Sequence, residues 1–140
     1  MSDHNCIFCK IIAGQIPCTK IYEDNQILAF LDVHPISEGH TLVVLKEHTS
    51  RVDSTEPLAM ARIGEMLPKL TASVKNAMGA DGYNVLCNNG ASAGQVVEHM
   101  HFHIIPRKTN DGVVKHWPAF QYPDGRAAVI AEKIRKNLAL

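Results

Sequence analysis

Three histidines, His99, His101 and His103, alternate with Met100, Phe102 and Ile104 in the run HMHFHIIPR. Imidazole serves as nucleophile, proton carrier or metal ligand near neutral pH, so three on one strip of backbone point to chemistry. On an extended strand, alternate side chains share a face at a spacing of roughly 7 Å. The apolar partners then pack toward the core and the histidine face points away from it. Such spacing lets one imidazole attack phosphorus while its neighbours bind phosphate oxygens or fix its tautomer. A second chemistry uses the same residues: His99, His101 and His103 could jointly hold a catalytic ion that activates water. Just upstream, Asn88, Gly94 and Gln95 belong to a small-residue loop whose N–H groups could cradle an anion, and Arg107 supplies a cation downstream. Asn88 also suits an ordinary turn at the end of a strand.

A second grouping lies at the other end of the chain. Cys6 and Cys9 have the C-x-x-C spacing that brings two thiolates to one metal ion, and a closed zinc site needs two further ligands. Cys18 and Cys87 read as plain thiols.

These residues need elements to hold them. CIFCKIIA, residues 6–13, fits a short helical turn ended by Gly14. KIYED, QILAFLDV and HTLVVLK read as three strands, and their short links favour an antiparallel meander. A long helix follows. Asp53 and Glu56 resemble a capping box, Pro57 suits the first turn, and Met60, Ile63, Leu67, Leu70, Val74 and Met78 repeat at three and four. Pro68 inside it predicts a bend in one helix rather than a break into two. GYNVLCNNG and VVEHMHFHIIPR are two further strands, and RAAVIAEKIRKNL is an amphipathic C-terminal helix behind Asp124. The expectation is one α+β domain over residues 1–140, with a mainly antiparallel five-stranded sheet, one long helix and one C-terminal helix.

Composition narrows the function. Fourteen Lys+Arg balance fourteen Asp+Glu, which argues against a protein that coats nucleic acid or an anionic membrane surface. No segment approaches the ~20 apolar residues of a membrane span, and the N-terminal apolar stretch is too short for a signal sequence. A cytoplasmic protein is expected.

HMHFHII fits the H-x-H-x-H-x-x pattern of the histidine triad family of nucleotide hydrolases and transferases. The segments CIFCKIIAGQIP, YEDNQILAFLDVHPISEGHTLVV, LKEH, YNVLCNNG and AGQVVEHMHFHIIPR resemble that family in order, over nearly the whole chain. The resemblance implies a two-step transfer at the α-phosphorus of a purine nucleotide such as a nucleoside phosphoramidate. His101 would be the nucleophile, His103 and Gln95 would bind phosphate, and the carbonyl of His99 would set the tautomer of His101. Asp32 would take the ribose hydroxyls, Phe30, Leu31 and Val33 would shape the base slot, and Asn88 and Gly94 would help hold the phosphates. Val96 departs from the pattern, because some phosphoramidase-type members carry a serine there that donates to the phosphate or leaving group. A dinucleoside polyphosphate hydrolase using the same His101 is the close alternative, and a nucleotide-binding scaffold without turnover is a third.

Some bacterial members resemble this chain in the cysteine pair as well. Carried over, that likeness implies a structural zinc ion on Cys6, Cys9, His48 and His99, with His4 as a spare ligand. It also implies a homodimer, with Trp117 and Pro118 in a segment that leans across the pair. His34, His40 and His116 read as surface or turn residues.

Overall fold

The structure is a computed structural model and describes residues 5–113 and 118–138. Five strands form one antiparallel sheet: β1 Lys20–Glu23, β2 Ile27–Leu31, β3 Thr41–Leu45, β4 Gly82–Leu86 and β5 His101–Arg107, in the order β1-β2-β3-β5-β4. The helices are α1 Ile7–Ile12, α2 Pro57–Ala77 and α3 Arg126–Lys136. The α+β class and the meander of the first three strands match the expectation from sequence.

Why β2 is apolar at every position and β3 at every position after Thr41 follows from the layers around them. Ile27, Ala29, Val43 and Leu45 face one way and pack with Ile63, Met66, Leu70 and Val74 of α2, together with Met100 and Ile104. Leu28, Phe30, Leu42 and Val44 face the other way and pack with Cys6, Phe8 and Cys9 around α1. A strand with both faces covered reads as a continuous apolar run, and the period of two vanishes from its sequence. The histidine side of the sheet is therefore the wall of a second, smaller core: His99 is fully buried and His101 is 6% exposed. The histidine face points away from the main core, as its alternation implies, and a second layer covers it.

Helix α2 starts at Pro57 behind Glu56, which makes no side-chain cap, while Asp53 lies in a preceding 3-10 turn, Val52–Ser54. The expected Asp53–Glu56 capping box is absent there. In its place the Arg51 N–H donates to Ser54 Oγ at 3.2 Å, closing the turn that leads into the helix. The helix runs unbroken through Pro68, with Thr71 Oγ1 donating to the Leu67 carbonyl at 2.8 Å.

The fifth strand is shorter than its sequence pattern. Its ladder with β3 stops at the pair Val44–His101, and residues 96–100 lie outside it. The Leu45 carbonyl, next in line, accepts from the His99 ring Nε2–H at 2.8 Å, and the Met100 N–H turns to the Thr49 carbonyl at 2.7 Å. His99 thus stands just before the strand that carries His101 and His103.

Candidate functional site

Register decides which side chains meet. Leu42 pairs with His103 and Val44 with His101, so the two histidines lie beside even-numbered residues of β3 and β2 on the α1 side. Their ring centroids are 4.9 Å apart, and the Phe8 ring stands edge-on to His101 at 5.1 Å. A cavity of about 360 Å³ opens here. Phe30, Leu31, Asp32, Val33, Gly94, Val96, His101 and His103 all line it, so the structure gathers eight of the residues singled out from sequence. Ile7, Phe8, Ile11, Pro17 and Cys18 form much of the remaining wall, with His34, Leu42 and Val97. Val33 and Val96, 82% and 91% exposed, form an apolar rim.

The hydrogen-bond pattern fixes each ring. The His99 carbonyl accepts from His101 Nδ1–H at 2.7 Å, which leaves the Nε2 lone pair of His101 uncommitted. The Ile36 N–H donates to His40 Nδ1 at 3.1 Å, so the proton of neutral His40 sits on Nε2 and is donated to His103 Nδ1 at 2.9 Å. His103 then carries its own proton on Nε2. Among the described residues, that nitrogen is the one buried side-chain nitrogen or oxygen without a partner. A buried unpartnered donor is costly unless a ligand accepts from it, and an acceptor such as a phosphate oxygen fits. Burial, with the charges of His101 and His40, pushes the His103 ring down to about 4, so it is a neutral donor near pH 7. Burial lowers His40 as well, against the pull of Asp32.

His40 is the residue that sequence reasoning missed. It was read as a surface or turn histidine, yet it is 2% exposed and bonded directly to the third histidine of the triad. Parity could have found it, because position 40 continues the even-numbered face of β3 that carries Leu42 and Val44.

Two other expectations change. Gln95 was expected on phosphate, but its Oε1 accepts from the Gly90 N–H at 2.7 Å, and its Nε2 donates to the carbonyls of Ser50 and Val97 at 2.7 and 3.1 Å. Its amide is spent on holding the loop, with Asn88 beside it reaching the Gly94 carbonyl at 3.5 Å. Gly94 has φ +88°, a left-handed conformation that favours glycine and turns the loop into the cavity wall. Arg107 was expected near the anion site, but it lies at the far end of β5 and donates to Asn84 and Asp111 at 2.7 Å each.

The cysteines and two histidines also converge. Cys6 Sγ and Cys9 Sγ lie 3.5 and 3.7 Å from His99 Nδ1, and Cys9 Sγ lies 3.4 Å from His48 Nδ1. All four ligand atoms fall within 4.8 Å of one another. A tetrahedral zinc ion with Zn–S ≈ 2.3 Å and Zn–N ≈ 2.0 Å spaces its ligands at about 3.5 Å, so these residues fit that metal. His99 presents Nδ1 to the thiols because its Nε2–H is held by Leu45, the kind of outer contact that orients a ligating imidazole.

Metal on the triad itself is excluded by the same bonds. His99 turns its free nitrogen to the thiols and His101 turns one of its own to a carbonyl, so the three rings do not share a focus. Asp32, His40 and His103 also have ligand atoms within 4.8 Å of one another. There, however, the Ile36 N–H occupies His40 Nδ1 and keeps a proton on the nitrogen that a metal would need. The expected alternative of a hydrolase with a catalytic ion on three histidines is overturned.

The fold, the cavity and the tautomer-fixed histidine pair define a nucleotide-type site, and comparison with known proteins places the chain. Residues 13–110 match the HIT domain, and the chain belongs to that family. It is 40% identical over 135 residues to adenosine 5′-monophosphoramidase hnt1 of Schizosaccharomyces pombe, covering 96% of this chain and 98% of that one. It is 45% identical over 108 residues to adenylylsulfatase HINT3 of Arabidopsis thaliana, covering 77% of this chain but only 55% of that longer protein. Among solved structures, a HIT family member from Bacillus subtilis superposes with TM-score 0.91 at 41% identity, over 98% of this chain and 99% of that one. A Zn-bound histidine triad family protein from Mycobacterium smegmatis gives 0.75 at 32%, over 94% and 97%.

His4, His116 and Trp117 lie outside the described residues. Pro118 is described and exposed.

Proposed function

We propose that this protein is a hydrolase of nucleoside phosphoramidates, acting at the α-phosphorus through a covalent nucleotidyl-His101. The observation that carries the reading is the 2.7 Å bond from His101 Nδ1–H to the His99 carbonyl, which leaves Nε2 as a lone pair on the cavity wall. That lone pair forms a bond to phosphorus as the bond to the leaving amine breaks, and the amine departs with the electron pair and takes up a proton. Water then attacks the same phosphorus, the imidazole leaves, and the mononucleotide is released. His103 Nε2–H donates to a phosphate oxygen throughout, Asp32 accepts from the ribose hydroxyls, and Phe30, Leu31 and Val33 hold a purine base. Asn88 and Gln95 act by shaping the Gly94–Val96 loop. The names of the relatives support this substrate class over the dinucleoside polyphosphate alternative.

Cys6, Cys9, His48 and His99 hold a structural zinc ion in this reading, and the spacing of their ligand atoms supports it. Bound zinc supplies a cross-link between α1 and the segments before and after the central strands. The rest of the chain fits one domain, a cytoplasmic location and a homodimer that needs neither nucleic acid nor membrane. β4 is an edge strand with Tyr83 and Val85 partly exposed, α3 has no buried residue, and no described helix is long and apolar enough to cross a membrane.

The test is intact mass after brief exposure to adenosine 5′-phosphoramidate, quenched in denaturant at alkaline pH. One added adenylyl group in the native protein and none in His101→Ala is expected. Turnover without an adduct, or an adduct that survives the substitution, refutes the nucleophile. A higher kcat/KM for diadenosine tetraphosphate than for the phosphoramidate would move the assignment to the alternative substrate.

A further inference from the structure

Helix α1 serves two sites at once. Cys6 and Cys9 at its N-terminal end face His48 and His99, while Ile7, Phe8 and Ile11 form one wall of the nucleotide cavity. Among the described residues, every hydrogen bond from residues 6–16 that leaves this segment for the rest of the chain runs through the two thiols. The backbone bonds of the segment close only on itself, as in Lys10 N–H to the Cys6 carbonyl at 3.1 Å and Gln15 N–H to the Lys10 carbonyl at 2.9 Å. What else holds α1 is apolar contact, chiefly Phe8 against Phe30 at 5.6 Å and against His101 at 5.1 Å. A helix of six residues has no stability of its own, so its position rests on those two attachments.

We infer that metal at the thiol–histidine cluster and nucleoside in the cavity bind with positive coupling, transmitted by α1. The inference rests on the zinc and nucleotide readings above and adds a thermodynamic link between them. Metal fixes Cys6 and Cys9, which sets Ile7, Phe8 and Ile11 at the spacing the base requires. A base seated against those three side chains in turn holds the thiols at the metal. Reciprocity requires the two ligands to raise each other's affinity by one common factor. The coupling travels mainly through the base and ribose end of the ligand, where Ile7 and Ile11 line the wall; Phe8 also meets His101 at 5.1 Å, which makes phosphate the weaker lever.

The experiment uses the zinc-loaded protein and needs no catalysis. Zinc affinity is measured at equilibrium by competition with a chelator in the presence of saturating adenosine, AMP or inorganic phosphate. Adenosine and AMP are expected to tighten it about fivefold or more, with phosphate changing it less than twofold. The adenosine Kd, measured by calorimetry on loaded and stripped protein, is expected to weaken by the factor by which adenosine tightens zinc. Ile11→Ala, which leaves all four metal ligands in place, is expected to shrink that factor. Zinc affinities and adenosine Kd values that do not respond to the other ligand overturn the coupling. Equal protection by phosphate alone also overturns the α1 route. Where stripping unfolds the protein, the zinc affinities with adenosine and with phosphate, in the native protein and in Ile11→Ala, decide by themselves. Metal content by elemental analysis and direct AMP titration separate the cases: absence of zinc or of AMP binding refutes the underlying reading and the inference with it, whereas independent binding of both refutes the inference alone.

Discussion

Replacing Asp32 by Asn tests the ribose end of the site with little disturbance elsewhere. Oδ1 of Asp32 already accepts the His34 N–H at 2.9 Å, and Oδ2 lies 3.7 Å from His40 Nε2, which leaves the carboxylate with lone pairs toward the cavity. Asn keeps an oxygen for the His34 N–H, so the turn after β2 survives, but it exchanges one charged acceptor for a donor. A hydrogen bond to a charged group contributes about 1.5–3 kcal/mol. Loss of one such bond weakens AMP binding by about 10- to 150-fold. Calorimetry with AMP and 2′,3′-dideoxy-AMP on both proteins makes the assignment specific. The native protein is expected to lose that factor when the hydroxyls are removed, and Asp32→Asn to bind both ligands alike. If the variant weakens the dideoxy ligand as much as AMP, the carboxylate supports the site generally and the ribose assignment falls.

The remaining expectations concern the parts that hold the histidines. His40→Ala leaves the Ile36 N–H and His103 Nδ1 without partners; at about 1–3 kcal/mol each, stability in urea falls by about 2–6 kcal/mol. AMP binding should suffer more than adenosine binding, and equal losses would refute the proposed hydrogen-bond chain. The His103 ring is held near 4, chiefly by burial, below the ordinary imidazole value, so unfolding takes up a proton at that ring between about pH 6.5 and 4. Its contribution is undiminished above pH 6.5, is lost as pH falls toward 4, and declines no further below that. Tm measured from pH 7.5 to 4.5 should drop accordingly, less steeply in His103→Asn, and a flat profile would contradict burial of a neutral ring. Cys9→Ser should lower bound zinc from about one per chain and reduce Tm, which elemental analysis and calorimetry read together; unchanged metal content would remove Cys9 from the ligand set.

Much of this site was legible in the sequence because strand parity carries it. His101 and His103 share a face and the small-residue loop before them borders the cavity, as their types and spacing imply, while Asp32 closes the other side, as the family resemblance implies. Parity failed where a second layer intervened. The chain before β5 leaves the ladder, so His99 is not a strand residue, and what its ring touches depends on α1, more than 90 positions away. His40 was lost for a related reason: a histidine beside a glycine at the end of a turn looks solvated unless the histidine it meets, 63 positions later, is already in register. Gln95 failed differently. A polar side chain in an anion-binding loop can serve the ligand or the loop, and only the partners of its oxygen and nitrogen tell which.

Residue His99 ties these threads into one physical arrangement. Its carbonyl accepts from His101 Nδ1–H, its Nε2–H goes to the Leu45 carbonyl, and its Nδ1 faces two thiols. The backbone and the ring therefore answer to different sites. In the proposed reading, a metal on the ring would fix the residue whose carbonyl sets the tautomer of His101, without entering the reaction. That reading makes the first histidine of the triad a positioning residue, although its spacing alone suggests an equal partner to the other two. Its burial follows from the same geometry: the second core packs over a ring whose polar atoms all have partners, whereas His103, with one donor left over, borders the cavity where a phosphate can satisfy it.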